Sequence, residues 1–187
     1  MDKHEHRKWM KEKLSSITSD AFKDKSLKLS QNLESLLTDL HVIQQNICIG
    51  AFAPIEKEPL WFSALSENYQ TAYPTFDTTK AMHFKQAYLS DLIERKDFGP
   101  KILGPADDAK EVTPGVVLIP GLVFTAHGER LGRGKGFYDR YLHNFSGIKI
   151  GIAFSFQVEE NLHTEEHDVP LDFIVTEEKI INCKLAR

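Results

Sequence analysis

The sequence predicts an α/β protein, a three-layer α/β/α fold with a mostly parallel sheet and N-terminal helices packed on one side. Three observations lead there. Residues 1–40 carry two helical patterns; short apolar runs closed by proline then alternate with helical patterns; and the 187 residues suit one domain, 1–187, with a sizeable core.

In the first helical pattern Trp9, Met10, Leu14 and Ile17 share one face, and Lys3, Arg7 and Lys11 another. Thr18-Ser19-Asp20 interrupts, with Ser19 as the expected N-cap. Phe22, Leu29, Leu33, Leu36, Leu37 and Leu40 mark a second amphipathic helix. Ile47 to Phe52, closed by Pro54, reads as a buried strand, with Leu60 to Leu65 a helix after it. Strands are expected at Thr71 to Tyr73, before Pro74, and at His83 to Leu89. Phe98 to Pro114, rich in Gly and Pro, reads as connecting loop. Val116 to Ile119 is the clearest strand, followed by a helix at Phe137 to Leu142 and strands at Ile148 to Phe154 and Phe173 to Val175.

Composition narrows the function classes. The apolar share of 41% and charged share of 27% are those of a soluble globular protein, and no apolar run is long enough to span a membrane. The charged N-terminus lacks the apolar core of a secretory signal, so a cytoplasmic location is expected. Cys48 and Cys183 have no metal or redox spacing and read as buried thiols. The net charge of −4 disfavours nucleic acid as a partner, but its distribution is uneven. Residues 1–13 hold five basic side chains against three acidic ones, and residues 127–140 hold four against two. Two basic islands on an acidic body suit a focused anion site.

The chemistry is concentrated between Val116 and Leu142. A buried strand ends at Pro120, and a segment with Gly121, Gly128, Gly132, Gly134 and Gly136 leads into a helix. Ligands of open α/β sheets bind beyond the carboxyl ends of strands, where this segment lies. Closely spaced glycines let backbone N–H groups approach an anion, and the helix start adds further donors. Arg130, Arg133 and Lys135 stand between the glycines. Lys135 is followed by Gly136 rather than Ser or Thr, so this is not a Walker A loop, and G-x-G-x-G misses the dinucleotide spacing. Taken alone, the segment reads equally as a solvated glycine loop.

The run PGLVFTAHGERLGRGKGFYDRYL, Pro120 to Leu142, closely resembles the signature of the 5-formyltetrahydrofolate cyclo-ligase family, the methenyltetrahydrofolate synthetases. Lys3 and Arg7 look like its N-terminal basic pair, Ile47 to Glu58 like its first strand and acidic turn, and Ile150 to Thr176, with Gln157 and HDVPLD, like its C-terminal block. Met82 to Glu111 matches weakly. The resemblance implies an architecture similar to the sugar-phosphate isomerases and CoA transferases. It also implies an enzyme that closes 5-formyltetrahydrofolate to 5,10-methenyltetrahydrofolate with Mg²⁺ and ATP as co-substrate, releasing ADP and phosphate.

By that resemblance Arg130, Arg133 and Lys135 are the catalytic cations on the ATP phosphates, Lys135 following the transferred group. Gly132, Gly134 and Gly136 shape the cradle, and Lys3, Arg7 and Tyr138 join the nucleotide side. Asp139 holds Mg²⁺ together with Asp168, while Glu56 and Phe137 meet the folate. Without the resemblance, Lys3 and Arg7 would read as a solvated helix face, Glu56 as a surface charge beside Glu58, and Phe137 and Tyr138 as core. The family often has tyrosine where Phe137 stands and usually aspartate where Thr125 stands, which puts the hydroxyl and carboxylate contacts there in doubt. His163 and His167, four apart, lack the H-E-x-x-H pattern and are not expected to bind zinc.

The partners expected are therefore small molecules, with no nucleic acid and no membrane, acting on a monomer or weak homodimer. Two other readings compete. One is a sugar-phosphate isomerase whose basic loop holds a single phosphate, needing neither ATP nor metal. The other is a non-catalytic paralogue that binds folate or nucleic acid; the presence of Lys135 and Asp139 speaks against it.

Overall fold

The computed structural model describes residues 2–63, 65, 68–95, 102–162 and 169–186. Two helices come first, α1 (Lys3–Ser15) and α2 (Ser19–Asp39). Asp2 caps α1 by accepting from the amides of His4 and Glu5, and Glu5 reaches back to the Asp2 amide, a reciprocal capping box. At α2 the cap is Thr18, whose hydroxyl accepts from the Ala21 amide; Ser19, the expected cap, is already the first helical residue. Met10 and Leu14 of α1 are buried, whereas Trp9 keeps 37% of its surface exposed and lies outside the apolar face assigned to it.

Seven strands form the main sheet: β1 (Ile49–Gly50), β2 (Thr71–Phe76), β3 (Met82–Gln86), β6 (Val116–Pro120), β9 (Ile148–Ile152), β11 (Phe173–Val175) and β12 (Ile180–Asn182). A hairpin of β4 (Ile93–Arg95) and β5 (Ile102–Gly104) stands apart, and β7 (Val123–Thr125), β8 (Arg130–Leu131) and β10 (Val158–Glu159) make a small third sheet. The main order is β12-β11-β9-β6-β1-β2-β3. The five strands from β11 to β2 are parallel, and β3 and β12 close the two edges antiparallel. The expected mostly parallel α/β architecture is therefore what forms.

The alternation of strand side chains sorts the core into two layers. Ile49, Val116, Leu118 and Ile150 face α1 and α2, where Met10 and Leu33 are buried. Val117, Ile119 and Ile174 face the opposite way, against Leu142 of α3 (Phe137–His143).

Several expected elements differ. Leu60 to Leu65 does not form a helix among its described residues. The backbone there is held instead by α2: Ser26 Oγ accepts from the Leu60 amide and Ser30 Oγ donates to the Trp61 carbonyl at 2.6 Å. Strand β2 continues through Pro74 to Phe76. The Ala72 carbonyl accepts from Ala51 on the β1 side, so the nitrogen of Pro74, two residues on, faces the same side, beyond the end of β1, where no ladder donor is needed. Strand β3 ends at Gln86 rather than Leu89, which starts a short 3₁₀ turn. Part of the expected 98–114 loop is strand β5, with residues 98–101 outside the described range. Cys183 is buried and Cys48 half-buried, both free, with burial pushing the Cys48 thiol upward. No described helix is long and apolar enough to cross a membrane.

Candidate active site

The parallel strands, read from β2 across the sheet to β11, place the first strand second in line and the third beside it, so the winding direction reverses between β1 and β6. At such a reversal the loops leaving the two strands diverge and open a crevice at their carboxyl ends. The crevice walls here are residues 51–58 after β1 and the chain from Gly121 to Gly136 after β6. The second wall is more built than a plain loop: β7 and β8 pair antiparallel, and the glycine run begins after Leu131. Gln157, 1% exposed, holds its start, donating from Nε2 to the carbonyls of Gly121 and Leu122 at 3.0 Å.

Four cations converge on this wall. Arg7, from α1, donates from Nε to the Gly132 carbonyl at 3.0 Å. Arg130 is mostly buried, pairs with Asp139, donates from Nη1 to the Pro120 carbonyl at 3.2 Å and lies over the Tyr138 ring. Arg133 crosses the crevice: Nε donates to Glu58 Oε1 at 3.0 Å and Nη1 to Glu56 Oε2 at 2.9 Å. Lys135 is exposed, and its ammonium makes no hydrogen bond or ion pair among the described residues. Lys3 sits one turn before Arg7 on α1. The cations expected on one anion thus come from two separate parts of the chain, α1 and residues 130–135.

Backbone shape explains the glycines at the turn itself. Gly134 (φ 99°) and Gly136 (φ 67°) occupy the left-handed region, and Gly136 is the N-cap of α3. From that helix, Tyr138 turns inward and its hydroxyl is buried without a hydrogen-bond partner among the described residues. An orphaned buried hydroxyl costs about 1–3 kcal/mol, so stability alone does not account for a tyrosine beside Arg130. Burial pushes the pKa of its phenol well above the usual range, so it stays protonated and remains a donor. Phe137 packs on Phe76 with ring centroids 4.4 Å apart, and the Arg140 guanidinium lies 5.4 Å from the Phe137 centroid.

Asp139 gives Oδ1 to Arg130, while Oδ2 has no hydrogen-bond partner among the described residues. Asp168, expected to share a metal with it, lies outside the described residues, as do His163 and His167. No group of three or more His, Cys, Asp or Glu with metal-holding geometry occurs among the described residues. One free carboxylate oxygen beside a cluster of phosphate-seeking cations still suits Mg²⁺, which typically takes one or two carboxylates and completes its octahedron with phosphate oxygens and water.

The residues that sequence reasoning passed over are Glu58 and Phe76. Glu56 keeps 70% of its side chain exposed, but Glu58 keeps only 8% and accepts from the Ile55 amide at 3.0 Å as well as from Arg133. Burial pushes the Glu58 carboxyl upward, with the Ile55 amide and Arg133 pulling the other way. The spacing E-x-E in a proline-flanked turn was the available signal, since it lets two carboxylates meet one guanidinium. Thr125, in place of the family's aspartate, is fully buried and donates to Glu129 Oε2 at 2.8 Å, so a carboxylate still borders that spot.

Fold and edge together define a doubly wound α/β protein with a cationic, glycine-rich loop at its strand-order reversal. The profile of the 5-formyltetrahydrofolate cyclo-ligase family matches residues 1–177, and the chain belongs to that family. It is 40% identical over 87 residues to the 5-formyltetrahydrofolate cyclo-ligase of Escherichia coli (strain K12), a match covering 43% of this chain and 48% of the relative. The chain thus spans about half the length of that relative. With the cyclo-ligase of Mycoplasma pneumoniae it shares 30% identity over 186 residues, 95% of this chain and all of the relative (100%). Among solved structures, a 5,10-methenyltetrahydrofolate synthetase from Aquifex aeolicus superposes with a TM-score of 0.78 at 28% identity, covering 98% of this chain and 94% of that one. The M. pneumoniae synthetase gives 0.74 at 26%, covering 95% and 99%.

Proposed function

We propose that the chain, acting over residues 1–187 as one catalytic unit, closes 5-formyltetrahydrofolate to 5,10-methenyltetrahydrofolate at the expense of ATP. Family membership supports the reading, and the contact of Arg133 with Glu56 and Glu58 carries it. The cation assigned to the nucleotide and the carboxylate assigned to the folate are hydrogen-bonded neighbours across one crevice. Two ligands bound on those residues would lie side by side, as group transfer between them requires.

The chemistry explains why ATP is needed. The formyl group on nitrogen is an amide-like carbonyl, and its oxygen is a poor leaving group. Attack of that oxygen on the terminal phosphorus breaks the bond to ADP and leaves an electrophilic carbon carrying phosphate. The bridge nitrogen then adds to the carbon, its proton departs, and phosphate leaves with the former formyl oxygen. Arg7, Arg130, Arg133 and Lys3 hold the phosphates, with Lys135, whose ammonium is uncommitted, following the transferred group. Glu56 orients the pterin, Phe137 packs against it, and the Tyr138 hydroxyl donates on the nucleotide side. Asp139, with Asp168, would hold Mg²⁺, which neutralises charge on the phosphate oxygens.

The decisive assay mixes purified protein with 5-formyltetrahydrofolate and Mg²⁺-ATP and follows methenyl product by near-ultraviolet absorbance. Product that requires ATP and disappears on chelation of the metal is expected. Folate binding that is indifferent to ATP, with no product at high enzyme concentration, would replace this reading with a non-catalytic one.

A further inference from the structure

The chain leaves β6 through a corner, Pro120-Gly121-Leu122, whose three carbonyls all accept from side chains. Arg130 Nη1 donates to Pro120 at 3.2 Å, and Gln157 Nε2 donates to both Gly121 and Leu122 at 3.0 Å. Leu122 is also held at its amide, which donates to the Leu131 carbonyl at 2.8 Å. The corner is thereby tied to β8, the strand that carries Arg130. Gly121 brings the two closer still. A Cβ there would stand 3.0 Å from Arg130 Cγ and 2.6 Å from Phe124 Cζ, so any larger residue would displace the arginine stem or the phenyl ring.

Gln157 is fitted to this corner by its chemistry. It ends a 3₁₀ turn, Ser155–Gln157, and its Oε1 accepts from the Phe154 amide at 2.8 Å. A primary amide sets two N–H donors and an acceptor on one planar group, and here Nε2 faces two carbonyls while Oε1 faces one N–H. Methionine would fill the same space and serve none of them. Glutamate would turn an oxygen toward two carbonyl oxygens. The turn is fixed from its other end as well: Glu177 accepts from the Ser155 amide at 2.7 Å and from its hydroxyl at 2.8 Å, and pairs with Lys25 of α2. Only 1% of Gln157 is exposed, so what it does for a ligand it does through the backbone it holds.

We propose that Gln157 is a positioning residue for the reaction: it fixes the corner against which Arg130 lies and so aims the guanidinium that meets phosphate. The inference rests on the reading that Arg130 binds the phosphates of ATP, and deepens it. The Arg130 side chain is 7% exposed and committed to Asp139 and Pro120, so its direction follows the backbone beneath it. Guanidinium N–H donors lose strength quickly as they leave line with an oxygen. A corner freed to move therefore weakens the phosphate contact without touching the ligand. Glu56 and Glu58, on the other wall, are held by Arg133 and the Ile55 amide, so the loss falls on the nucleotide and spares the folate.

The test is Gln157→Met. Calorimetry should show ATP bound about tenfold more weakly, the loss of one charge-assisted hydrogen bond, while the KM for 5-formyltetrahydrofolate stays at the wild-type value. Gln157→Glu should lose more. In an Arg130→Ala background, Gln157→Met should weaken ATP no further, because both changes remove the same contact. In the ligand-free protein the Arg130 guanidinium resonance, assigned with Arg130→Lys, should shift in Gln157→Met. If Gln157→Met does not fold, Ser155→Ala, which loosens the turn and leaves the amide in place, should lower ATP affinity by a smaller factor with the folate KM unchanged. An Arg130 resonance that stays in place, equal losses for ATP and folate, or ATP losses that add in the double variant would overturn the proposal. A shifted Arg130 resonance in a protein whose wild type binds no ATP would sink the nucleotide reading and leave the positioning role standing.

Discussion

Arg133 donates to Glu58 at 3.0 Å, tying together two loops whose residues lie 75 apart in sequence. With 8% of the Glu58 side chain exposed, this is a buried carboxylate whose only cationic partner among the described residues comes from the glycine run. The same guanidinium holds Glu56. On the proposed reading, drawing Arg133 toward phosphate would release Glu56 on the folate side of the crevice.

Arg133→Ala leaves Glu58 buried and unpaired and should destabilise the fold by about 1–3 kcal/mol in urea denaturation. The double variant Arg133→Ala/Glu58→Gln should lose less than the sum of the two single variants. Burial already raises the Glu58 carboxyl, and a carboxyl whose folded value is raised contributes stability at low pH that is lost as pH rises through that value. The penalty of Arg133→Ala should accordingly be larger at pH 7 than at pH 4. Equal penalties would mean that Glu58 is not what Arg133 compensates.

Lys135 offers a cleaner separation of function from folding. Its side chain is exposed and without a partner among the described residues, so Lys135→Ala should change stability by no more than about 0.5 kcal/mol. If it follows the transferred phosphoryl group, kcat should fall on the order of 10²–10³-fold. Thermal melts and single-turnover rates on one preparation would measure both.

Tyr138→Phe should move the two properties in opposite directions. Removing a buried hydroxyl with no partner should stabilise the protein by about 1 kcal/mol. If that hydroxyl meets the nucleotide, the KM for ATP should rise roughly fivefold, the loss expected for one hydrogen bond. A stabilised variant of unchanged KM would place the hydroxyl outside the binding site.

The helix α2 side of the fold has its own titration. Burial would raise the pKa of Glu177, but the Lys25 ammonium and the Ser155 amide outweigh it, and that pKa lies below the usual carboxylate range. A depressed carboxyl contributes stability that is complete above its unfolded value, near ~4.3, and lost as pH falls through the folded value. Comparing wild type with Glu177→Gln from pH 7 to pH 2, the two stability curves should converge on acidification. Parallel curves would remove Glu177 from the acid response.

Much of this molecule was readable before folding. The parallel strands β6, β9 and β11 are apolar runs that only a sheet covered on both faces can bury, and α2 repeats leucine at helical spacing. The glycine run and its cations were evident because positive φ and mobile charge each demand particular residue types. The two- and three-residue strands β7, β8, β10 and β12 escaped, since a pattern that short has no period to detect. The Leu60 to Leu65 segment misled because its apolar spacing serves packing on α2, whose serines take the backbone groups a helix would use.

The amino-acid order by itself determined the family, the helical and parallel-strand elements, and which loop concentrates glycines and cations, because these depend on local periodicity and on residue chemistry. Tertiary structure alone decided that Glu58 rather than Glu56 is the buried partner of Arg133, and that Tyr138 hides a hydroxyl without a partner among the described residues. The physical reason is burial. Desolvation and pairing are set by what packs against a side chain from distant parts of the chain, and no local pattern records that.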